Sequence, residues 1–525
     1  PTPAAPASAA AAPYGPAVAA RFAEPSTQYS TPGLAPERRG FTTNSELGQW
    51  LHNIATAAPR GPTQASVLQL GASQQGEPIL GLLLTRAKGM DMASLEANGR
   101  STVVLIGQQH GDEPAGSEAL LVVARELAQG LLEPLLDRIN VVVIPRANPD
   151  GATNGNRTTA NGVDMNRDHL LLNTPEARAL ARVVRDYRPI LVLDAHEFTV
   201  AGRYLQKFNA IQRYDALLQY TTTANYHEFL TKASQEWYHQ PMLGALQSQG
   251  MSSEWYYTTS TQPDDKRISM GGVQPDTGRN VNGLKNAVSL LVETRGVGLG
   301  RLHIQRRVHT QVTTITSALR STAERAADLE QVRSYVARDT ASKACKGQVV
   351  IEAQATPMQR ELTMLDPDTG ADRTLKVDWN SSLALRPVKS RPRPCGYWLA
   401  AHATAAVERL QMLGVQVLRI AEPGALLADT YHETARETTE RTDVRGTIAG
   451  GSSIIRTQVT PVRSAIDVPA GSFYVPLNQG LAHLAVAALE PDTQSSYFAN
   501  RLIDELGSTA RVMTVPSLVF EESDE

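Results

Sequence analysis

The sequence predicts an α/β fold in which a buried, largely parallel sheet is covered by helices. Two observations carry that prediction. Short apolar runs bounded by turn residues read as strands buried on both faces. Between them stand amphipathic stretches of helical period, the alternation that packs helices on a parallel sheet. The rhythm begins after residue 40 and changes around Gly296, long enough for a domain with its own core.

Along the chain, the first 20 residues are dominated by Ala and Pro, with Tyr14 the only aromatic. That composition buries too little apolar surface to offset the entropy of ordering, so residues 1–40 are expected to form a disordered arm. Strands are expected at Val103–Ile106, Val141–Ile144, Ile190–Leu193 and Ser289–Val292. A helix fits Ser117–Leu127, with Leu120, Val123 and Leu127 at helical spacing; another fits Pro175–Tyr187, with Pro in the first turn and Leu180 and Val184 on one face. "RGVGLG" at 295–300 has glycines at alternate positions but lacks the spacing of a dinucleotide loop, so it reads as backbone flexibility. A long helix fits Val308–Tyr335, with Ile315, Leu319, Ala326, Leu329 and Val332 as its stripe. The main α/β domain is placed at 41–310. Residues 311–525 are read as a helical linker and a smaller β-rich accessory region, with strand-like pieces at Gln348–Glu352 and Val415–Ile420.

A net charge of −3 gives no sign of a nucleic-acid partner. No stretch reaches the roughly 18–20 consecutive apolar residues that a membrane-spanning helix requires. The chain opens on Pro1 rather than Met, which suggests that a segment was removed; a secretory leader is one candidate and simple trimming the other, and the expected location is exported (periplasmic or secreted). Its two cysteines, Cys345 and Cys395, could pair in an oxidising compartment or stand as free thiols. Neither has the near neighbours of a zinc–thiolate site.

Chemistry concentrates in four segments. "VVLIGQQHGDEPAG" sets His110 and Glu113 on a tight turn past the carboxyl end of a strand, the edge at which open α/β sheets bind ligands. "ILVLDAHEFT" brings His196 to a second strand end. Two imidazoles and a carboxylate form the three-ligand set of a catalytic zinc. "SLLVETRG" ends an apolar strand on Glu293, where a charge is costly unless it is employed or paired, for instance with Arg295. In "NPDGATNGNRTTANGVDMNRD", Arg157, Asn166 and Arg167 sit among turn signals, and guanidinium and amide groups suit a carboxylate or an oxyanion.

Together, "HGDE", "NPDG", "NGVDMNRD", "DAHE" and "LLVETRG" resemble the zinc metallocarboxypeptidase family of the carboxypeptidase A/B type, over about Val103 to Gly296. The resemblance implies a mixed, largely parallel eight-stranded sheet between helices. It implies one zinc ion per chain on His110, Glu113 and His196, and Asp164 as the acid that orients a ligand imidazole. It further implies Glu293 as general base to a zinc-activated water and Arg157 as the group that polarises the scissile carbonyl. Asn166 and Arg167 would grip the terminal carboxylate of a peptide or peptide-like substrate. Arg279 in "PDTGRN" is a further candidate clamp, and Tyr256 and Tyr257 are candidates for a substrate-covering tyrosine. The expected activity is release of C-terminal amino acids. The alternatives are a zinc amidohydrolase acting on N-acyl amino acids or cell-wall peptides, and a non-catalytic peptide-binding protein.

Overall fold

The computed structural model describes residues 12–57 and 61–523. Its centre is an eight-stranded mixed sheet. In chain order the strands are β1 (Gln64–Ala72), β2 (Pro78–Thr85), β3 (Ser101–Gly107), β4 (Ile139–Ile144), β5 (Leu191–Thr199), β6 (Ala216–Tyr220), β7 (Ser253–Trp255) and β8 (Val288–Val297). Across the sheet they lie in the order β1-β2-β4-β3-β5-β8-β6-β7. The inner block β4-β3-β5-β8 is parallel, as the continuous apolar runs predict, while β1, β2 and β6 join it antiparallel.

Alternation along each strand sends side chains to opposite faces. Val103 and Leu105 of β3 pack in one core with Leu120 and Val123 of the helix Ala115–Gln129. Val104 and Ile106 pack on the other face with Leu180 and Val184 of the helix Pro175–Tyr187. That second helix starts as its sequence suggests: the Thr174 side chain accepts from the Ala177 N–H, and Pro175 stands where no intrahelical donor is needed.

Three sequence expectations are revised. The arm expected to be disordered is packed from Tyr14 onward: Val18 and Phe22 are fully buried against Phe198, Val200 and Leu362. Residues 1–11 lie outside the described residues. The few large apolar side chains of the arm suffice because a preformed hollow receives them, and Arg295 stacks its guanidinium 3.6 Å from the Phe22 ring centre. The long helix runs from Ile304 to Ser342, and Val308, Ile315, Leu319 and Leu329 belong to the core of the main sheet. It is therefore a covering helix of the catalytic half and not a linker. Finally, the strand expected at Val415–Ile420 shrinks to Leu418–Arg419, because its partner Phe473–Pro476 pairs with only those two residues.

The C-terminal half is β-rich, as expected, but it is not set apart. Its long ribbon Gln348–Leu365 and Asp372–Pro392 continues into strands of the catalytic half. Leu365 pairs with Ile211, and Ile268 pairs with Trp379. A second ribbon, Gly424–Thr439 with Ile454–Val468, forms the edge of a six-stranded sheet. Cys345 and Cys395 are joined as a disulfide, with Cα atoms 4.2 Å apart. The bond ties the segment after the long helix to the strand Gly396–Leu399.

Candidate active site

β3 ends at Gly107, and the backbone turns at Gln108, whose φ of 50° lies in the left-handed region. The Gln108 side chain holds the turn, donating to the Gly111 carbonyl at 3.0 Å and accepting from Arg146 Nε at 2.7 Å. Gly111 is required there: a Cβ on it would stand 2.0 Å from the Gly151 backbone. The "HGDE" turn and the "NPDG" helix start therefore meet backbone to backbone, which brings the two motifs into one site.

His110, Glu113 and His196 are 3%, 2% and 3% exposed, and their ligating atoms all lie within 4.8 Å of one another. His110 Nδ1 is 2.7 Å from one Glu113 oxygen, and His196 Nδ1 is 3.1 Å from the other. Each imidazole is backed by a buried carboxylate: His110 Nε2 lies 2.8 Å from Asp164 Oδ1, and His196 Nε2 lies 2.8 Å from Asp194 Oδ2. A proton held on each outer nitrogen leaves Nδ1 as a lone pair aimed inward, the state in which imidazole binds a metal. The donor set and its backing thus fit zinc.

His196 sits within β5 rather than past its end, because β5 continues to Thr199 alongside β8. The register places Glu293 of β8 directly beside His196. Burial pushes the Glu293 carboxyl up to about 8, opposed by His196 and reinforced by the Glu113 charge. Arg295, the rival ion-pair partner for Glu293, instead donates to the Gln212 carbonyl at 2.5 Å. Arg157 Nε and Nη2 each lie 3.0 Å from Asp164 Oδ2, and Nη1 lies 3.7 Å from Glu113. Although burial opposes it, the Arg157 guanidinium holds the Asp164 carboxyl well below the usual carboxylate range.

Asn166 and Arg167 follow on the short turn Met165–Arg167, whose start is capped by Asp164 accepting from the Asn166 N–H at 3.0 Å. Arg167 is held at 2.9 Å by Asp443, far along the chain. Arg279 opens the helix Gly278–Gly283, donates through Nη2 to the Gly272 carbonyl at 3.0 Å and has a buried Nε without a partner. Burial lowers its guanidinium to about 10. One pocket gathers His110, Glu113, Arg157, Asn166, Arg167, His196, Arg279 and Glu293; Asp164 stands behind it. Both tyrosines line it as well. Tyr257 is 1% exposed, with its hydroxyl bonded to Gln212, and so forms wall. Burial and the Glu293 charge push the Tyr256 phenol up to about 12.

Sequence reading left several residues of this site unassigned. Asp194 was visible two positions before His196, and its partner is Gln109 Nε2 at 2.7 Å, with His169 2.7 Å behind that glutamine. Arg203, Val444 and Arg445 also line the pocket. The last two come from the C-terminal half, and no local motif announces them.

Comparison with known proteins agrees with this geometry. The sequence model of the zinc carboxypeptidase family matches residues 47–274. Carboxypeptidase 2 of Trichophyton rubrum is 27% identical over 399 residues, covering 75% of this chain and 72% of that protein. Carboxypeptidase D of Mus musculus is 29% identical over 228 residues, covering 36% of this chain and 16% of that protein. Among solved structures, the carboxypeptidase A of Helicoverpa armigera is 15% identical, with a TM-score of 0.41 and coverage of 56% of this chain and 78% of that one. The chain thus carries, over residues 47–274, a domain that matches the zinc carboxypeptidase family of hydrolases, and it is similar over three quarters of its length to a carboxypeptidase.

Proposed function

We propose that the protein releases C-terminal amino acids from peptides, with one zinc ion per chain held by His110, Glu113 and His196. The observation that carries this reading is the convergence of that triad with Glu293 beside His196 and Arg157 within 3.7 Å of Glu113. When bound, zinc would supply an acidified water and a Lewis acid for the scissile carbonyl. Asp164 and Asp194 keep the two imidazoles in the metal-binding tautomer. Glu293 takes the proton of the attacking water and delivers it to the departing nitrogen. Its burial suits this role, since a carboxyl raised to about 8 is a stronger base than an exposed one. Arg157 offsets the charge that develops on the carbonyl oxygen. Asn166, Arg167 and Arg279 bind the substrate's free carboxylate, and Tyr256 stands over the bound residue.

The disulfide supports export, because such bonds persist in oxidising compartments. Among the described residues, no helix is long and apolar enough to cross a membrane. The test is mass spectrometry of products from a mixed peptide library, run with free and amidated C-termini. Loss of single terminal residues from the free peptides, with amidated peptides cut at least tenfold more slowly, is the expected result. Equal rates on both sets would point to an endopeptidase, and cleavage of N-acyl amino acids alone to an amidohydrolase.

A further inference from the structure

The C-terminal half contributes to the pocket through a small hairpin in which Thr442–Asp443 pairs with Gly446–Thr447. Its tip, Val444 and Arg445, lines the cavity. The hairpin is held from several sides. Asp443 binds Arg167 at 2.9 Å, Arg441 donates to the Arg167 carbonyl at 2.6 Å and pairs with Asp276 at 3.3 Å, and the Arg445 carbonyl accepts from the Thr261 N–H at 3.0 Å. Asp443 also accepts from the Arg445 N–H at 2.8 Å, which closes the turn.

The charges in the pocket do not balance. Five arginines line it. Asp164 holds Arg157 and Asp443 holds Arg167. Arg203, Arg279 and Arg445 make no ion pair among the described residues; Arg203 and Arg279 donate only to carbonyls, of Thr259 and Gly272. Of the lining carboxylates, Glu113 belongs to the metal triad, Glu293 is given to proton transfer and Glu197 is held by Arg307 through two bonds of 2.9 Å, which leaves one carboxylate, Asp112, against three guanidiniums without an ion pair. Asp112 stands beside Glu113 on the triad side. Burial and then the nearby Arg157 charge depress the Arg445 guanidinium, so Arg445 shares its surroundings with other cations.

The terminal carboxylate is met by Arg167 and Arg279, as assigned above, which leaves Arg203 and Arg445. A second anionic group is needed to meet the remaining positive charge, and a basic side chain would be repelled. We infer that this carboxypeptidase selects substrates with an acidic C-terminal residue, and that Arg445, supplied by the C-terminal hairpin, is a specificity-determining residue. The inference rests on the carboxypeptidase reading above and names its substrate class.

The experiment compares kcat/KM of the zinc-loaded protein on peptides identical except for a last residue of Glu, Gln, Leu or Lys. Glu is expected to exceed Gln by about tenfold or more, the weight of a charged hydrogen bond. Arg445→Gln should remove most of that ratio, and Arg445→Lys should restore part of it. Binding of the Glu- and Gln-ended peptides to Glu293→Gln, read by calorimetry, reports the same preference without turnover. Binding that favours Glu in a protein that cleaves no peptide would condemn the hydrolytic reading and keep the acidic pocket. A wild-type preference for Leu, Lys or Gln, a preference for Glu only at the penultimate position, or a ratio untouched in Arg445→Gln would overturn the inference.

Discussion

The two sides of the pocket are built differently. The triad and Glu293 stand on or just past adjacent parallel strands whose side chains are buried on both faces. Another part of the lining is a hairpin with four paired residues from the other half of the chain, anchored by ion pairs and single carbonyl bonds. A buried parallel sheet fixes atoms to within a fraction of an ångström, as proton transfer and metal binding require. A loop on a scaffold is freer to vary, which suits the choice of substrate. On the proposed reading, bond breaking and substrate choice fall to separate parts of the fold.

The sharpest way to test that division is Glu293→Gln. The exchange keeps shape but removes the base, so kcat should fall by about 10²–10⁴-fold while bound metal and peptide affinity persist. Metal analysis and calorimetry beside the rate measurement would check it, and normal turnover would remove Glu293 from its role. Asp164→Asn has a smaller expected effect, since the Asp164 carboxylate backs His110 and does not itself hold the metal. Zinc affinity should drop by about 10–100-fold, read by competition with a chromophoric chelator. An unchanged affinity would mean that His110 needs no backing.

The smallest effect concerns pH and the metal-free protein. The Glu293 carboxyl is raised to about 8 in the fold, against roughly 4.3 in an unfolded chain. A raised acid contributes stability that is complete below the unfolded value and lost as pH climbs through the folded one. Thermal melts in chelator should therefore show Glu293→Gln gaining on the wild type between about pH 5 and 8, by a shift on the order of 2 °C. A constant gap across that range would mean that Glu293 is ionised throughout.

Legibility followed the same boundary. His110, Glu113, His196 and Glu293 could be singled out because each adjoins an apolar run and because their motifs follow in the order of a known family; the structure brings them into one pocket. The strand cores of β3, β4, β5 and β8 were readable for the same reason. Their continuation was less so: β5 extends through the polar His196 and Glu197 because β8 pairs with it there, a tertiary effect that propensity does not carry. Val18 and Phe22 looked too sparse to order an arm, since the hollow that receives them is assembled from Phe198, Val200 and Leu362. Arg445 was invisible because what makes it part of the site is its approach to Arg157 and Tyr256 across more than 180 intervening residues.

The strand pairings of Leu365 with Ile211 and of Trp379 with Ile268 bear on how the molecule is made. Hydrogen bonds of these short segments are satisfied by a ribbon that leaves the ribosome only after the whole catalytic sheet has been synthesised. The nascent catalytic half must wait, with an unpaired edge, until residue 379 and its neighbours emerge, a long-range closure of the kind that slows folding and exposes intermediates. A chain cut after the long helix would keep His110, Glu113 and His196 and the whole eight-stranded sheet, and still lack the ribbon that pairs with Ile211–Gln212 and Ile268–Ser269. The proposed triad and base are thus all synthesised well before the segments around them are all paired.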